Sequence, residues 1–232
     1  GDVTALLRAE GLVVRYGGVG ALDGIDLSVE SGEVVGLVGA NGAGKTTLLD
    51  CLSGHLRPSG GRVWLGGRDV TGWGAARRAR LGVTRTFQDA RLFPTMPVRD
   101  VLLLSGWRAR SGVPEAVVTG LEPVLDRLVG ELSTGERKRL DLACVLGLRP
   151  QVLLLDEPSA GLAAAEVPAI AAQLRDAAQA TGAGVVMVEH DLPLVWDLAD
   201  RVVILDNGKV VAAGPPDSLR GHPALAFGRL AP

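Results

Sequence analysis

The segment GANGAGKTT, residues 39–47, has the residue types and the spacing of a loop that binds phosphate. It matches G-x-x-x-x-G-K-S/T, in which glycines let backbone N–H groups turn toward a phosphate. Lys45 can reach the β- and γ-phosphates of a nucleotide, and the hydroxyl of Thr46 can bind Mg²⁺. A strand-like run before the segment and a helical pattern after it supply the context that such a loop requires. The predicted nucleotide-binding residues are Gly39, Ala40, Asn41, Gly42, Ala43, Gly44, Lys45, Thr46 and Thr47.

Two neighbouring carboxylates follow the apolar run VLLL, residues 152–155. Asp156 ends this predicted strand, so its side chain is expected at the carboxyl edge of a sheet, beside the phosphate loop, where it can hold Mg²⁺ through water. Glu157 stands next to it and is a candidate general base for an attacking water molecule. Together with the phosphate loop, this pair predicts hydrolysis of the nucleotide as well as binding.

The stretch ELSTGERKRL, residues 131–140, is a candidate for a second phosphate contact. Ser133 followed by Glu136 is the pattern of a capping box at the start of a helix. The first turn of a helix also offers unpaired N–H groups and partial positive charge, and a serine hydroxyl adds a donor. We interpret the stretch both as a helix cap and as a phosphate contact, because the cap would pre-form a phosphate-binding turn.

The elements that must position these residues predict an α/β fold. The segments VVGLVGA (34–40), VLLLDEP (152–158) and GVVMVEH (184–190), each built around a near-continuous apolar run, indicate buried parallel strands, with helices between them, one of them at about 166–180. The first third of the chain alternates strand-like runs with turns, which predicts an N-terminal antiparallel β-subdomain, and Asn207-Gly208 predicts a hairpin near the end.

We expect a single domain over residues 1–232. Its nucleotide-binding core, with the β-subdomain, would comprise residues 1–91 and 149–232, and a helical subdomain would be inserted at 92–148, where the periodicity becomes helical and prolines mark breaks.

Composition excludes some classes of function. A formal net charge of −2 gives no support for nucleic-acid binding. The uncharged apolar runs fall short of the ~20 residues needed to cross a bilayer, and no signal peptide is recognised, so a cytoplasmic protein or domain is expected. Cys51 and Cys144 are expected as reduced core residues, and Arg77, Arg78 and Arg80 as a solvated helix face.

Taken together, these motifs resemble the ATP-binding cassette (ABC) family of transport ATPases over nearly the whole chain. The resemblance implies a P-loop NTPase (RecA-like) fold with ATP and Mg²⁺ as cofactors. It also implies that Tyr16 in VVRYGG stacks on adenine and that His190 in VMVEHDL contacts the γ-phosphate. Gln88 in RTFQ would contact Mg²⁺ and the attacking water and sense a membrane permease.

The stretch LSTGE resembles the family's LSGGQ signature, and Ser133 precedes Asp156 by the typical interval, 156 − 133 = 23 residues. In the family this motif faces the nucleotide of a second ABC ATPase domain. The residues expected to contact ATP in trans are Ser133, Thr134, Gly135 and Glu136. Thr134 is tolerable if Gly135 is the position under conformational constraint, and Glu136 is tolerable if it turns back to cap the helix.

The string RTFQDARLFPTMPVRDVL, residues 85–102, is similar to that of the ATP-binding subunits of branched-chain amino-acid importers. This implies transport of hydrophobic amino acids or related small amides, with transmembrane permease subunits, a second ABC domain in a homo- or heterodimer, and a solute-binding protein as partners. The chain would then be a peripheral protein on the cytoplasmic face of the membrane. A cluster after Gln88 would either receive a permease helix or pack between subdomains: Phe87, Leu92, Phe93 and Met96.

Three alternatives stay open at this point. The ABC ATPases of DNA repair or translation usually add coiled-coil insertions or a second cassette, and neither is present in the sequence. A regulatory cassette that does not hydrolyse ATP is suggested by Thr134 and by Ala163, which stands where many relatives carry aspartate. The third alternative is the ATPase domain of a fused carrier or of an exporter.

Overall fold

The computed structural model describes residues 5–86, 93–105 and 120–228. Within these ranges the strands are β1 (Leu7–Tyr16), β2 (Val19–Val29), β3 (Val34–Gly39), β4 (Gly60–Leu65), β5 (Arg68–Asp69), β6 (Val83–Arg85), β7 (Val152–Asp156), β8 (Gly184–Val188), β9 (Arg201–Asp206) and β10 (Lys209–Gly214). The α-helices there are α1 (Lys45–Ser53), α2 (Ala75–Ala79), α3 (Val98–Leu104), α4 (Thr134–Gly147), α5 (Val167–Thr181), α6 (Leu192–Leu198) and α7 (Pro216–Leu219).

The N-terminal strands form a four-stranded antiparallel sheet in the order β2-β1-β4-β5. One face of β1 is apolar, because Leu7, Ala9, Leu12 and Val14 alternate with more exposed residues and are buried. These side chains share a hydrophobic core with the apolar face of α1. The predicted antiparallel β-subdomain is therefore confirmed, and it packs against the helix that follows the phosphate loop.

A six-stranded sheet in the order β10-β9-β3-β8-β7-β6 forms the centre of the fold. Its strands β6, β7, β8, β3 and β9 are parallel, and β10 returns antiparallel to β9. All six residues of β3 are buried, as expected for a strand covered on both faces. Parallel strands end at a common edge, so Gly39, Asp156 and Val188 are brought to the same side of the sheet.

Several local predictions are confirmed by the backbone. Asn207 and Gly208 both have positive φ, 46° and 75°, in the tight turn between β9 and β10. The helical pattern expected after the phosphate loop is confirmed by α1, which ends at Gly54 with a φ of 83°, the left-handed conformation of a helix C-terminus. The alanine-rich helix runs from Val167 to Thr181, close to the predicted 166–180. Cys51 is buried and Cys144 is half-buried, and both are free thiols.

The part of the chain between β6 and β7 is helical where the structure describes it. It contains α3, short 3₁₀ turns at Glu122–Val124 and Val129–Glu131, and α4. The proposed subdomain limits at 92 and 148 stay a prediction. Of the predicted apolar cluster, Phe93 is exposed and Met96 packs against the core, whereas 87 and 92 lie outside the described residues. None of the described helices is long and apolar enough to span a bilayer.

The prediction of a solvated arginine face is wrong for Arg78, which is completely buried. Its guanidinium Nη1 donates to the carbonyls of Cys51 and Leu52 at 2.6 and 2.8 Å, and Nε donates to Trp73 O at 3.0 Å. These first two carbonyls belong to the last turn of α1, where backbone acceptors lack helical partners and positive charge is favourable. Arg78 is therefore a C-terminal cap for α1. Desolvation by burial lowers its pKa.

Asp141 on α4 predicts a pH dependence of stability. Burial raises the pKa of its carboxyl to about 6, against an ordinary value of 3.8, although Lys138 acts in the opposite direction. Because the folded state holds this proton more tightly than the unfolded chain does, protonation of Asp141 stabilises the fold. This contribution of Asp141 to the free energy of unfolding is fully present below about pH 4 and is lost as the pH rises through about 6. Asp141→Asn should abolish this loss, which is at most about 3 kcal/mol.

Urea denaturation of both proteins across that pH range measures the difference. Asp176→Asn, which changes an exposed carboxylate on α5, is the matched control and should parallel the unchanged protein. Parallel pH profiles for Asp141→Asn and the unchanged protein would contradict the prediction.

Candidate nucleotide site

The predicted phosphate loop connects β3 to α1 at the carboxyl edge of the large sheet. Gly44 caps α1 with φ 105°, and a Cβ at this position would lie 2.6 Å from the carbonyl oxygen of Ala21. Only glycine combines this backbone conformation with such a close approach. The tips of the loop at Asn41 and Gly42, and the side chain of Thr46, are exposed. The loop is thus packed closely against the chain at Gly44, whereas its tip is open to solvent.

Lys45 lies under this loop and is only 6% exposed. Its Nζ donates to the carbonyl oxygens of Gly39 and Ala40 at 2.7 and 2.9 Å. Burial lowers the pKa of its ammonium group, and the charges of Glu157 and Asp156 partly offset that effect. An ammonium group has three donors, so two of them fix the loop and one remains for a phosphate oxygen.

Asp156 lies at the end of β7 and is 4% exposed. Its Oδ2 accepts a hydrogen bond from Arg85 Nη2 at 3.0 Å, and its backbone N–H donates to Thr86 Oγ1 at 3.3 Å. Arg85 also forms an ion pair with Asp50 of α1. The guanidinium therefore ties the end of β7 to the helix that follows the phosphate loop.

The second carboxylate oxygen of Asp156, Oδ1, is buried without a hydrogen-bond partner among the described residues. Leaving a buried carboxylate oxygen unsatisfied is costly, and oxygen is the ligand that Mg²⁺ prefers. No group of three or more His, Cys, Asp or Glu side chains in the described ranges could hold a metal ion. One carboxylate and a hydroxyl suit Mg²⁺, which keeps several waters and is bound largely through substrate phosphates.

Glu157 and His190 contact each other across the ends of β7 and β8. Glu157 Oε1 lies 3.1 Å from His190 Nε2, and both side chains are partly exposed. Glu157 has φ 50°, an uncommon conformation for a residue with a side chain. Its N–H donates to Val188 O at 2.9 Å, and its carbonyl accepts from Lys138 Nζ at 3.1 Å. The structure thus brings together the predicted general base, Glu157, and the histidine that is expected to contact the γ-phosphate, His190.

The capping box at the start of α4 is confirmed. Ser133 Oγ accepts from the N–H of Glu136 at 3.2 Å, and Glu136 Oε2 accepts from the N–H of Ser133 at 2.7 Å. The backbone hydrogen bond from Ser133 lowers the pKa of Glu136, and Arg127 acts in the same direction. The carboxylate of Glu136 therefore turns back onto the cap, while the side chains of Ser133 and Thr134 are exposed.

The constraint at Gly135 has a different origin from the one expected. Both Thr134 and Gly135 lie within α4, and neither has positive φ. A Cβ on Gly135 would lie 1.9 Å from Glu166 Oε1, and Glu166 Oε2 accepts from the N–H of Ala163 at 3.0 Å. The constraint is therefore steric rather than conformational, and it is weak, because the end of the Glu166 side chain can move aside.

Three further residues are singled out by the sequence: Tyr16, Ala163 and Gln88. Tyr16 is the last residue of β1 and is 53% exposed, so its ring is available for stacking. Ala163 is exposed in the turns between β7 and α5. Gln88 lies outside the described residues.

Sequence reasoning missed two charged residues that the structure places at this edge, Arg85 and Glu189. Glu189 directly follows β8, is 2% exposed, and accepts hydrogen bonds from the backbone of Ser159 and His190. A signal was present in both cases, because a charged residue at the end of a buried strand must find a partner. The sequence does not identify the distant partners, which are Asp50 and Asp156 for Arg85 and Ser159 for Glu189.

Comparisons with known proteins find related sequences and a related structure over nearly the whole chain. The family model for "ABC transporter" matches residues 22–160. The chain is 35% identical to the high-affinity branched-chain amino acid transport ATP-binding protein BraF of Pseudomonas aeruginosa, over 94% of each chain. It is 39% identical to the cobalt import ATP-binding protein CbiO of Rhodobacter capsulatus, over 99% of this chain and 86% of that protein. The structure of MJ1267, an ATP-binding cassette of an ABC transporter in its ADP conformation, superimposes with a TM-score of 0.85 at 28% identity, covering 98% of this chain and 99% of that one.

Proposed function

The chain belongs to the ABC transporter family, and from that premise we propose that it hydrolyses ATP to drive the transport of branched-chain or related hydrophobic amino acids. The observation that carries the mechanism is the contact between Glu157 and His190 beside the loop of residues 39–47. The 35% sequence identity to BraF, over 94% of this chain, supports the choice of solute.

The proposed ATP contacts follow from the geometry of the loop. Backbone N–H groups of residues 39–47 and the positive end of α1 would surround the β-phosphate. Lys45 would use its third donor on the β- and γ-phosphates, and the exposed ring of Tyr16 would stack on adenine. The related ATP-binding cassette in its ADP conformation supports a nucleotide as the ligand.

Among the described residues, Asp156 and Thr46 would hold Mg²⁺. Gln88, which lies outside the described residues, is the third proposed ligand. When bound, the ion neutralises charge on the β- and γ-phosphate oxygens. Asp156 contributes an oxygen that is already buried and unsatisfied, and Arg85 fixes the orientation of its carboxylate through the other oxygen.

In the proposed hydrolysis step, Glu157 accepts a proton from water as the water oxygen attacks the γ-phosphorus. The bond from phosphorus to the β–γ bridging oxygen breaks, and the products are ADP and inorganic phosphate. Nε2 of His190 lies 3.1 Å from Glu157 Oε1, so the imidazole can orient the base. To contact the γ-phosphate, as the family resemblance implies, the same N–H would have to leave Glu157 and donate to a phosphate oxygen instead. Lys45 stabilises the charge that develops on the leaving group.

We propose that the start of α4 binds the γ-phosphate held by a second ABC domain. Ser133 and Thr134 are exposed at the N-terminus of this helix, so their hydroxyl groups are available to donate to a phosphate from outside the chain. The carboxylate of Glu136 is turned back onto the cap. Further proposed partners are transmembrane permease subunits and a solute-binding protein, which would place the chain at the cytoplasmic face of a membrane.

Variants of Ser133 should separate capping from phosphate binding. Ser133→Ala removes the acceptor for the N–H of Glu136, so we expect a loss of about 1 kcal/mol in the free energy of unfolding and slower ATP turnover. Ser133→Asp caps a helix about as well as serine but places negative charge toward a phosphate, so stability should be kept and turnover lost. Thr134→Gly restores the family residue and should preserve turnover.

Urea denaturation of the chain and ATPase rates of the assembled complex measure the two effects. Undiminished turnover in Ser133→Asp would show that this turn does not bind phosphate.

The proposed function is tested in the complex purified through a tag on this chain and reconstituted in lipid vesicles. We expect ATP-dependent uptake of labelled leucine, isoleucine or valine, with no uptake of cobalt, and loss of uptake in Glu157→Gln. ATP hydrolysis without uptake of these amino acids would overturn the solute assignment. Absence of hydrolysis in the intact complex would overturn the role as a motor and favour a regulatory cassette.

A further inference from the structure

Glu189 is a buried carboxylate that the proposed mechanism does not use. It directly follows β8 and is 2% exposed. Burying a carboxylate is costly unless its oxygens accept hydrogen bonds, so the contacts of Glu189 indicate what this position requires.

Both carboxylate oxygens of Glu189 accept from backbone N–H groups, and the donors belong to two different turns. Oε1 accepts from Ser159 at 2.7 Å, in the turn that follows β7. Oε2 accepts from His190 at 3.0 Å and, more weakly, from Asp191 at 3.4 Å, in the turn that follows β8. One side chain therefore links the two turns that carry Glu157 and His190.

The turn after β7 needs such an anchor because Glu157 has φ 50°. A residue with a side chain in this conformation is strained and persists only where the surroundings hold it. The N–H of Glu157 is bonded to Val188 O, and its carbonyl accepts from Ala160 N–H at 3.1 Å. Ser159 lies inside this closed turn, so its bond to Glu189 fixes the turn from the side of β8.

The backbone of Glu189 is anchored as well. Its N–H donates to Leu37 O in β3 at 3.3 Å, two residues before the phosphate loop begins. The carboxylate is therefore fixed relative to the central strand, and the two turns are fixed relative to the carboxylate.

We propose that Glu189 is a positioning residue that holds Glu157 and His190 at contact distance for hydrolysis. The proposal rests on the proposed function, since it assumes that these two side chains act on ATP. Among the described residues, Glu189 accepts hydrogen bonds from backbone N–H groups only, so it acts through Glu157 and His190 and not on the nucleotide.

The test is Glu189→Gln, which keeps the size of the side chain but leaves one acceptor oxygen and turns an NH₂ donor toward a backbone N–H. We expect kcat for ATP to fall roughly 10- to 100-fold, as for a small displacement of reacting groups. KM for ATP should stay within about twofold, because the loop of residues 39–47 is untouched.

Glu33→Gln is the matched control. Glu33 also accepts a backbone N–H, from Glu30 at 2.8 Å, and it pairs with Arg201, at the opposite edge of the sheet. Both variants should lower the melting temperature, but only Glu189→Gln should lower kcat. Equal loss of kcat in both variants would reduce the role of Glu189 to general stability and overturn the proposal.

Two further measurements make the result unambiguous. In a Glu157→Gln background, Glu189→Gln should cause almost no additional loss of kcat, because both changes affect the same step. If Glu189→Gln does not fold, amide hydrogen exchange of the unchanged protein decides: the N–H of Ser159 should be protected, and exchange at the rate of an exposed amide would overturn the proposal. Loss of hydrolysis in Glu157→Gln with unchanged kcat in Glu189→Gln would leave the proposed function standing and reject this inference alone.

Discussion

Glu157→Gln should lower the rate of ATP hydrolysis by roughly 10²–10⁴-fold while ATP still binds. The amide cannot accept the proton of the attacking water, whereas the phosphate loop and Lys45 are unchanged. Because glutamine has nearly the same size, the turn with φ 50° and the contact with His190 should be retained. Single-turnover hydrolysis and ATP binding, both measured on the assembled complex, separate the two effects.

The assembly state gives a second measurement for this variant. If ATP holds two cassettes together until it is hydrolysed, Glu157→Gln with ATP should accumulate as a dimer on size-exclusion chromatography, and the unchanged protein should not. Asp176→Asn, an exposed carboxylate change on α5, is the control and should behave like the unchanged protein. A Glu157→Gln protein with normal turnover would remove Glu157 from the role of general base.

The second large effect is expected from Arg78→Met, which should lower the free energy of unfolding by about 3–4 kcal/mol. Methionine fills much of the space, but the carbonyls of Cys51 and Leu52 lose their donor while they remain buried, and the part-buried carbonyl of Trp73 loses its donor as well. Leaving buried acceptors unsatisfied costs about 1–3 kcal/mol each. For a chain of this length the melting temperature should fall by about 10 °C.

Arg80→Met is the matched control, because Arg80 is exposed two residues further along the same basic run. It should change stability by less than about 0.5 kcal/mol. Thermal unfolding followed by circular dichroism compares the two variants directly. Similar melting temperatures for both variants would contradict the capping role of Arg78.

The contrast between Arg78 and its neighbours shows why part of the fold could be predicted from sequence and part could not. The phosphate loop, the buried strands and the hairpin turn each depend on residues that are adjacent in the chain, so they could be predicted from the sequence. The capping box of Ser133 and Glu136 is equally local. The burial of Arg78 is decided by the end of α1, more than twenty residues earlier, and the run ARRAR alone resembles an ordinary charged helix face.

The candidate site divides in the same way. Motif spacing located Lys45, Asp156 and Glu157, because each is tied to a strand end that the apolar pattern marks, and the family resemblance added His190. Arg85 and Glu189 escaped, since their roles depend on which strands become neighbours in the sheet. The constraint on Gly135 also escaped, because it comes from Glu166, in a segment separated from it by β7.

The order of strands in the large sheet has a consequence for the newly synthesised chain. Strand β3 leads into the phosphate loop, but both of its neighbours, β8 and β9, are encoded near the other end of the chain. At 5–20 residues per second, roughly ten to thirty seconds separate the synthesis of β3 from that of β9. During that interval the antiparallel sheet of β1, β2 and β4 can form, whereas β3 waits with both edges unpaired. A ribosome stalled before residue 184 therefore holds a chain that contains the ATP-binding sequence and cannot yet fold the strand that presents it.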